Sequence, residues 1–210
     1  MIDIEALEAL AKKIPSQGGH GVGKQLRSYS SLIPVRTSIV EVGVWLGAGT
    51  SHLAIGQKEV CGGAPIYCYD KFNASKAEVG KAKNFGINLK LNQDTLPMVK
   101  KSLRPISTDI IYIKGDIKDI RYDGPPIGMY VDDASKRKEK FLAVIEELEP
   151  HFINGTIIVL MDYYFYQKRR GDESLKFQMK YMQKRRSNFE FVERFNDKSS
   201  CAAFRYKKGD

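Results

Sequence analysis

Apolar positions along this chain follow two alternating rhythms. Ile4, Leu7, Leu10 and Ile14 recur at helical spacing between Ile2 and Ile14, with Asp3 and Glu5 early and Lys12 and Lys13 late, as the helix dipole favours; Pro15 closes the segment. Short β-branched or aromatic runs follow at 39–42, 65–70, 109–114, 127–131 and 156–160. Between them lie stretches of helical period at about 50–57, 74–85, 94–103 and 136–148. Asp94 is placed to cap the third of these, and Phe141, Val144, Ile145 and Leu148 form one apolar face of the fourth. Strand and helix in alternation predict an α/β fold, a Rossmann-like, doubly wound, mostly parallel sheet. After a helix over 172–186 the rhythm changes: 189–195 and 201–206 read as strands joined by Asn196-Asp197-Lys198-Ser199. Such a link predicts that the seven-stranded sheet ends in an antiparallel hairpin.

Residues 16–34, SQGGHGVGKQLRSYSSLIP, interrupt this pattern before the first strand. Gly18 to Gln25 approaches a phosphate-binding loop, but Gln25 stands where a Ser or Thr is needed and a helix precedes it where a strand is needed. A glycine-rich hinge or lid leading into a short helix near 24–32 is expected instead. The chain thus divides into an N-terminal helix and lid, 1–36, and a domain, 37–210.

Composition narrows the class. A chain of 210 residues with 42% hydrophobic content suits one sizeable core. No apolar run approaches the roughly 20 residues that span a bilayer, and MIDIEALEALAKKI lacks the basic start and long apolar centre of a signal peptide, so a soluble, cytoplasmic protein without a membrane partner is expected. Cys61, Cys68 and Cys201 have neither disulfide-framework nor zinc spacing. The net charge of +9 and pI near 9.3 fit a polyanionic partner or a lysine-rich surface. Oligomeric state stays open, a homo-oligomer being compatible with everything above.

The stretch Ser38 to Ser51, SIVEVGVWLGAGTS, carries the clearest chemistry. A β-branched strand with one acid, Glu41, meets a glycine turn and a new helix, whose free N–H groups face the same opening. A small ligand can sit on such a turn. The dinucleotide fingerprint is incomplete, because His52 stands where its third glycine belongs. Asp70, about twenty residues beyond the turn and ending the second strand, has the place of a carboxylate that accepts ribose hydroxyls.

The pattern E-x-G-x-x-x-G-x-G-T, Glu41 through Thr50, resembles motif I of the class I S-adenosylmethionine (SAM)-dependent methyltransferases. The resemblance covers nearly all of the chain after residue 36 and implies a sheet of order 3-2-1-4-5-7-6. It implies SAM on Gly43, Gly47, Gly49 and Thr50, with Glu41 near the amino end, Asp70 on the ribose, and Asp116 and Ile117 at the adenine. Val40 to Ala54, YVDDASKRKEKF and GTIIVLMDYYF narrow the likeness to the group holding macrolide-sugar and rhamnosyl O-methyltransferases and, more distantly, the catechol type. In those enzymes acids after the fourth and fifth strands hold magnesium. Asp132 and Asp162 match, and Asp133 could substitute for a missing ligand, since Met161 and Tyr163 flank Asp162 where an acid or amide is usual.

The implied function is methylation of a small hydroxylated acceptor, a sugar or phenol, with Asp132 at the reacting centre. Where no metal lowers the hydroxyl's pKa, a side chain must take its proton. His20 in the lid is one candidate, although it reads first as a hinge residue. Lys136, one residue beyond the catechol family's lysine position, is another, although it reads first as a solvated helix start. Two other classes compete. The basic helix Lys176, Lys180, Lys184, Arg185 and Arg186 could track phosphates of a nucleic acid, although the D/N-P-P-Y/F step of amino-methylating enzymes is replaced by Asp132-Asp133-Ala134-Ser135. A SAM-fold protein that binds without turnover is the third.

Overall fold

The strand carrying the acid, β1 (Ser38–Val42), is buried along its whole length and lies between β2 (Ile66–Asp70) and β4 (Ile127–Asp132). The computed structural model describes residues 3–17, 19–107, 109–165, 172–197 and 199–209. Outside that centre lie β3 (Ile110–Lys114) beside β2, and β5 (Phe152–Leu160), β7 (Ala202–Tyr206) and β6 (Phe189–Arg194) beyond β4. The first five strands pair in parallel and the last two antiparallel, giving the order β3-β2-β1-β4-β5-β7-β6.

Period-two alternation divides each central strand between two cores. Ile39, Val131 and Val159 face a layer that includes Leu26, Leu53 and Ile55; Val40, Val42, Tyr130 and Ile158 face Phe141, Val144, Ile145 and Met182. The first layer is built by α1 (Ile4–Ala11), α2 (Gly19–Ser30), α3 (Ala48–Glu59), α4 (Lys76–Lys83) and α5 (Leu96–Leu103), the second by α6 (Lys138–Leu148) and α7 (Phe177–Lys184). Asp94 accepts from the Leu96 amide at 3.0 Å, although Thr95 occupies the cap of α5. The expected helix over 172–186 is shorter, a 3₁₀ turn at Glu173–Lys176 preceding α7. Among the described residues, no helix is long and apolar enough to cross a membrane.

The largest departure from expectation is the glycine-rich segment, which is helix from Gly19 rather than a hinge. One glycine from each helix, Gly23 in α2 and Gly56 in α3, serves the crossing of α2 with α3. A Cβ on Gly23 would lie 2.2 Å from the His52 ring, and one on Gly56 of α3 would lie 2.3 Å from the Arg27 carbonyl oxygen. Burial of Val22 and Leu26 in the same crossing outweighs the poor helix propensity of glycine, roughly 1 kcal/mol per residue against alanine. Gly56→Ala should accordingly destabilise the protein by about 1–3 kcal/mol despite its gain in propensity, because the contact is backbone and cannot swing away. Chemical denaturation of the two proteins checks this, and equal midpoints would mean the helices stand further apart.

Candidate active site

Backbone hydrogen bonds carry the sheet one residue past its carboxyl tips. Gly43 N donates to Tyr69 O at 2.9 Å, Asp133 N to Val42 O at 2.8 Å and Met161 N to Asp132 O at 3.0 Å. The tips of β2, β1, β4 and β5 therefore end level, which is where open α/β sheets bind ligands. A cleft of about 620 Å³ opens there, with Gly43, Trp45 and Asp70 on one side and Asp133, Lys136, Met161 and Asp162 on the other. A smaller hollow of about 60 Å³ continues inward over Glu41 and Gly49, beneath Val22 and Leu26 of α2.

The turn after β1 is shaped by its glycines. Gly43 has φ +94°, and a Cβ there would come within 2.9 Å of Ala134, so the β1 and β4 tips could not close together. At Gly49 a Cβ would sit 2.3 Å from the Glu41 carboxylate. Glu41 is fully buried, accepts a hydrogen bond from the Thr50 hydroxyl and lies beside the Cys68 thiol. Burial pushes its pKa up to about 8, against the opposing pull of the Thr50 bond.

Asp70 accepts from Val44 N at 2.7 Å, Trp45 N at 3.1 Å and Phe72 N at 2.7 Å. It thus ties the turn to the tip of β2 while still bordering the cleft. Trp45, held in a left-handed conformation at φ 50°, borders both hollows, and its indole N–H is buried without a hydrogen-bond partner. Nothing in the sequence pattern singled it out. Asp116 and Ile117 follow the tip of β3, where Gly115 N donates to Asp70 O at 3.0 Å. Asp116 pairs with Lys71 at 2.9 Å, which holds its carboxyl below the usual range, and caps a 3₁₀ turn; Ile117 packs into the core beside Val42 and Tyr69. Neither borders the two hollows described.

The two acids after β4 part company. Asp132, the last residue of the strand, shares the face of Tyr130 and is 0% exposed. Its carboxylate accepts from Tyr130 Oη at 2.9 Å, Ala134 N at 3.1 Å, Ser135 N at 2.8 Å, Gln178 Nε2 at 2.9 Å and the Ser135 hydroxyl. These donors fill its lone pairs, so the expectation that Asp132 reacts with substrate or ligates a metal is corrected: it organises the turn that follows β4. Asp133, one residue on, opens into the cleft with 48% of its side chain exposed.

Lys136 leans back over that turn. Its Nζ lies 2.7 Å from Asp133 Oδ1 and 3.1 Å from Asp162 Oδ2, with only 16% of the side chain exposed. Burial would lower its pKa, but Asp133, Asp162 and Asp132 outweigh this and hold the ammonium above the ordinary lysine value. Lys136 is thus no solvated helix start, and charged it is no base either. The His20 side chain lies outside the described residues. In the basic helix, Lys176 and Lys180 both pair with Glu173, and the Arg185 guanidinium forks onto Glu149 at 2.6 Å from each oxygen. Three of its candidate phosphate contacts are therefore engaged within the chain.

The strand order and closing hairpin are the fold of the class I SAM-dependent methyltransferases. Among solved structures of this fold, the O-methyltransferase NovP superposes with a TM-score of 0.65 at 14% identity, over 90% of this chain and 81% of NovP. The cofactor-bound Rv0187 from MTB gives 0.62 at 14% identity, over 98% and 90%. The methyltransferase MycE, solved with Mg and SAH, gives 0.56 at 16% identity over 99% of this chain, which spans 55% of the MycE chain. No family model matches the sequence, and no curated protein does.

Tested against the groups that the fold suggests, the two halves of the cleft differ. The glycine cradle, the acids Glu41 and Asp70 and the orphaned indole N–H of Trp45 fit a ligand carrying an amino acid end and a sugar. The magnesium half does not fit: its two cleft carboxylates already share an ammonium, and the described residues hold no group of three His, Cys, Asp or Glu suited to a metal.

Proposed function

We propose that this chain methylates a hydroxyl of a small acceptor, a sugar or phenol, using SAM bound on the turn from Gly43 to Thr50. The observation that carries the reading is the pairing, in one cleft, of that glycine turn with Asp133 and the Lys136 ammonium. SAM supplies an electrophilic methyl group on a sulfonium. Glu41 and the Gly49 amide region take its amino acid end, and the Asp70 carboxylate takes a ribose hydroxyl, sharing its lone pairs with the amides it already holds. Asp133 and Lys136 hold the acceptor oxygen in line with the methyl carbon. As that oxygen forms its bond to carbon and the carbon–sulfur pair returns to sulfur, the proton passes to Asp133. Lys136, kept charged by Asp133 and Asp162, stabilises the negative charge growing on the oxygen. The local pairing of Lys176, Lys180 and Arg185 speaks against a nucleic-acid substrate.

The chain's single tryptophan provides the test, because Trp45 stands at the proposed cofactor turn. Titration with SAM or its demethylated product SAH should change intrinsic fluorescence in a saturable way, and calorimetry should return the same Kd. Absence of binding by both methods removes the reading.

A further inference from the structure

The two carboxylates on the Lys136 side of the cleft, Asp133 and Asp162, carry their own counter-ion. Lys136 Nζ contacts both, at 2.7 and 3.1 Å. A hard divalent cation would need oxygens at about 2.0–2.6 Å and several of them. Here each acid already spends one oxygen on the ammonium, and Asp162 Oδ1 also accepts from the Ser200 hydroxyl at 3.4 Å. A third carboxylate, Asp132, is saturated by its own donors and lies on the Tyr130 face of β4. A cation entering between the two acids would therefore have to displace a bound ammonium of like sign.

We propose that the Lys136 ammonium takes the place of a divalent cation at this edge of the sheet, so that the acceptor is held through one oxygen on Lys136 and Asp133 and needs no adjacent oxygen for chelation. The substrate class is then a lone sugar or phenol hydroxyl rather than a diol or catechol. The statement about the acceptor rests on the methyl-transfer reading above; the statement about the cation rests on the geometry alone.

The test compares Mn²⁺ binding to the wild type and to Lys136→Met, with SAH present, by calorimetry and by the paramagnetic resonance of free Mn²⁺. Removing the ammonium leaves the two carboxylates, and the variant should bind Mn²⁺ with a Kd on the order of 1 mM, as few-ligand hard-cation sites do. The wild type should bind at least about tenfold more weakly, and Mn²⁺ should raise the melting temperature of the variant only. If Lys136→Met fails to fold, Lys136→Gln carries the same comparison. Wild-type binding as tight as the variant's, or selective paramagnetic broadening of Asp133 and Asp162 resonances in the wild type, would overturn the proposal. So would a variant that gains no Mn²⁺ affinity. The SAH heat in the same cell is separate: without it the methyl-transfer reading fails, while the Mn²⁺ comparison stands.

Discussion

Asp133→Asn should lower the rate of methyl transfer by about 10²–10⁴-fold, the range typical for loss of a positioned proton acceptor. Asparagine can still accept a hydrogen bond from Lys136, so the fold and SAH affinity should change little, and the loss should fall on kcat rather than on cofactor binding. Asp132→Asn should behave in the opposite way. An amide cannot accept all the bonds that the Asp132 carboxylate receives from Tyr130, Ser135 and Gln178, and each stranded buried donor costs about 1–3 kcal/mol. That variant should lose stability while each folded molecule keeps most of its activity. Single-turnover rates on an identified acceptor, read beside denaturation midpoints, separate the two. A fully active Asp133→Asn would sink the assignment.

Glu41 should make the ligand-free protein less stable as pH rises. Its folded pKa of about 8 stands above the ordinary glutamate value of 4.5, so between those limits the folded state keeps a proton that the unfolded state has released. Stability contributed by this group is complete below about pH 4.5, falls by up to about 1.4 kcal/mol per pH unit, and levels off above about pH 8, an upper bound near 5 kcal/mol in all. Glu41→Gln removes the ionisation, and its Oε1 can still accept from Thr50. The variant should thus gain on the wild type between pH 5.5 and 8.5 in denaturant titrations, and parallel curves would contradict a buried, protonated Glu41. In the proposed complex, a ligand ammonium beside Glu41 would favour its ionised form. Binding of SAH at pH 7 should then release a proton to the buffer, and Glu41→Gln should abolish that release.

Much of this molecule is readable in its residues. β-branched runs, helical periods and the closing Asn196-Asp197-Lys198-Ser199 link fix strand, helix and hairpin, because each burial pattern is local. The glycine turn is equally legible, since positive φ at Gly43 and Gly47 leaves a residue-level mark. Which of two consecutive acids faces the cleft is not. It depends on β4 running through Asp132 before it ends, and one residue of strand length exchanges the faces. The three-residue spacing from Asp133 to Lys136 was the signal available, as it brings an ammonium back over a carboxylate at a turn. The segment holding Gly19, Gly21 and Gly23 misled for another reason. Its propensity argues for a loop, and only the partner helix, through the His52 ring, shows why a small residue is wanted at Gly23.

That backbone crossing also governs traffic. With α2 resting directly on α3, Val22, Gly23 and Leu26 roof the Glu41 hollow, and the wider cleft beside it is bordered by Glu78, Lys81 and Phe165. Under the methyl-transfer reading, the donor lodged deeper on the glycine turn should enter first and leave last, so SAH should inhibit competitively against SAM in steady-state kinetics.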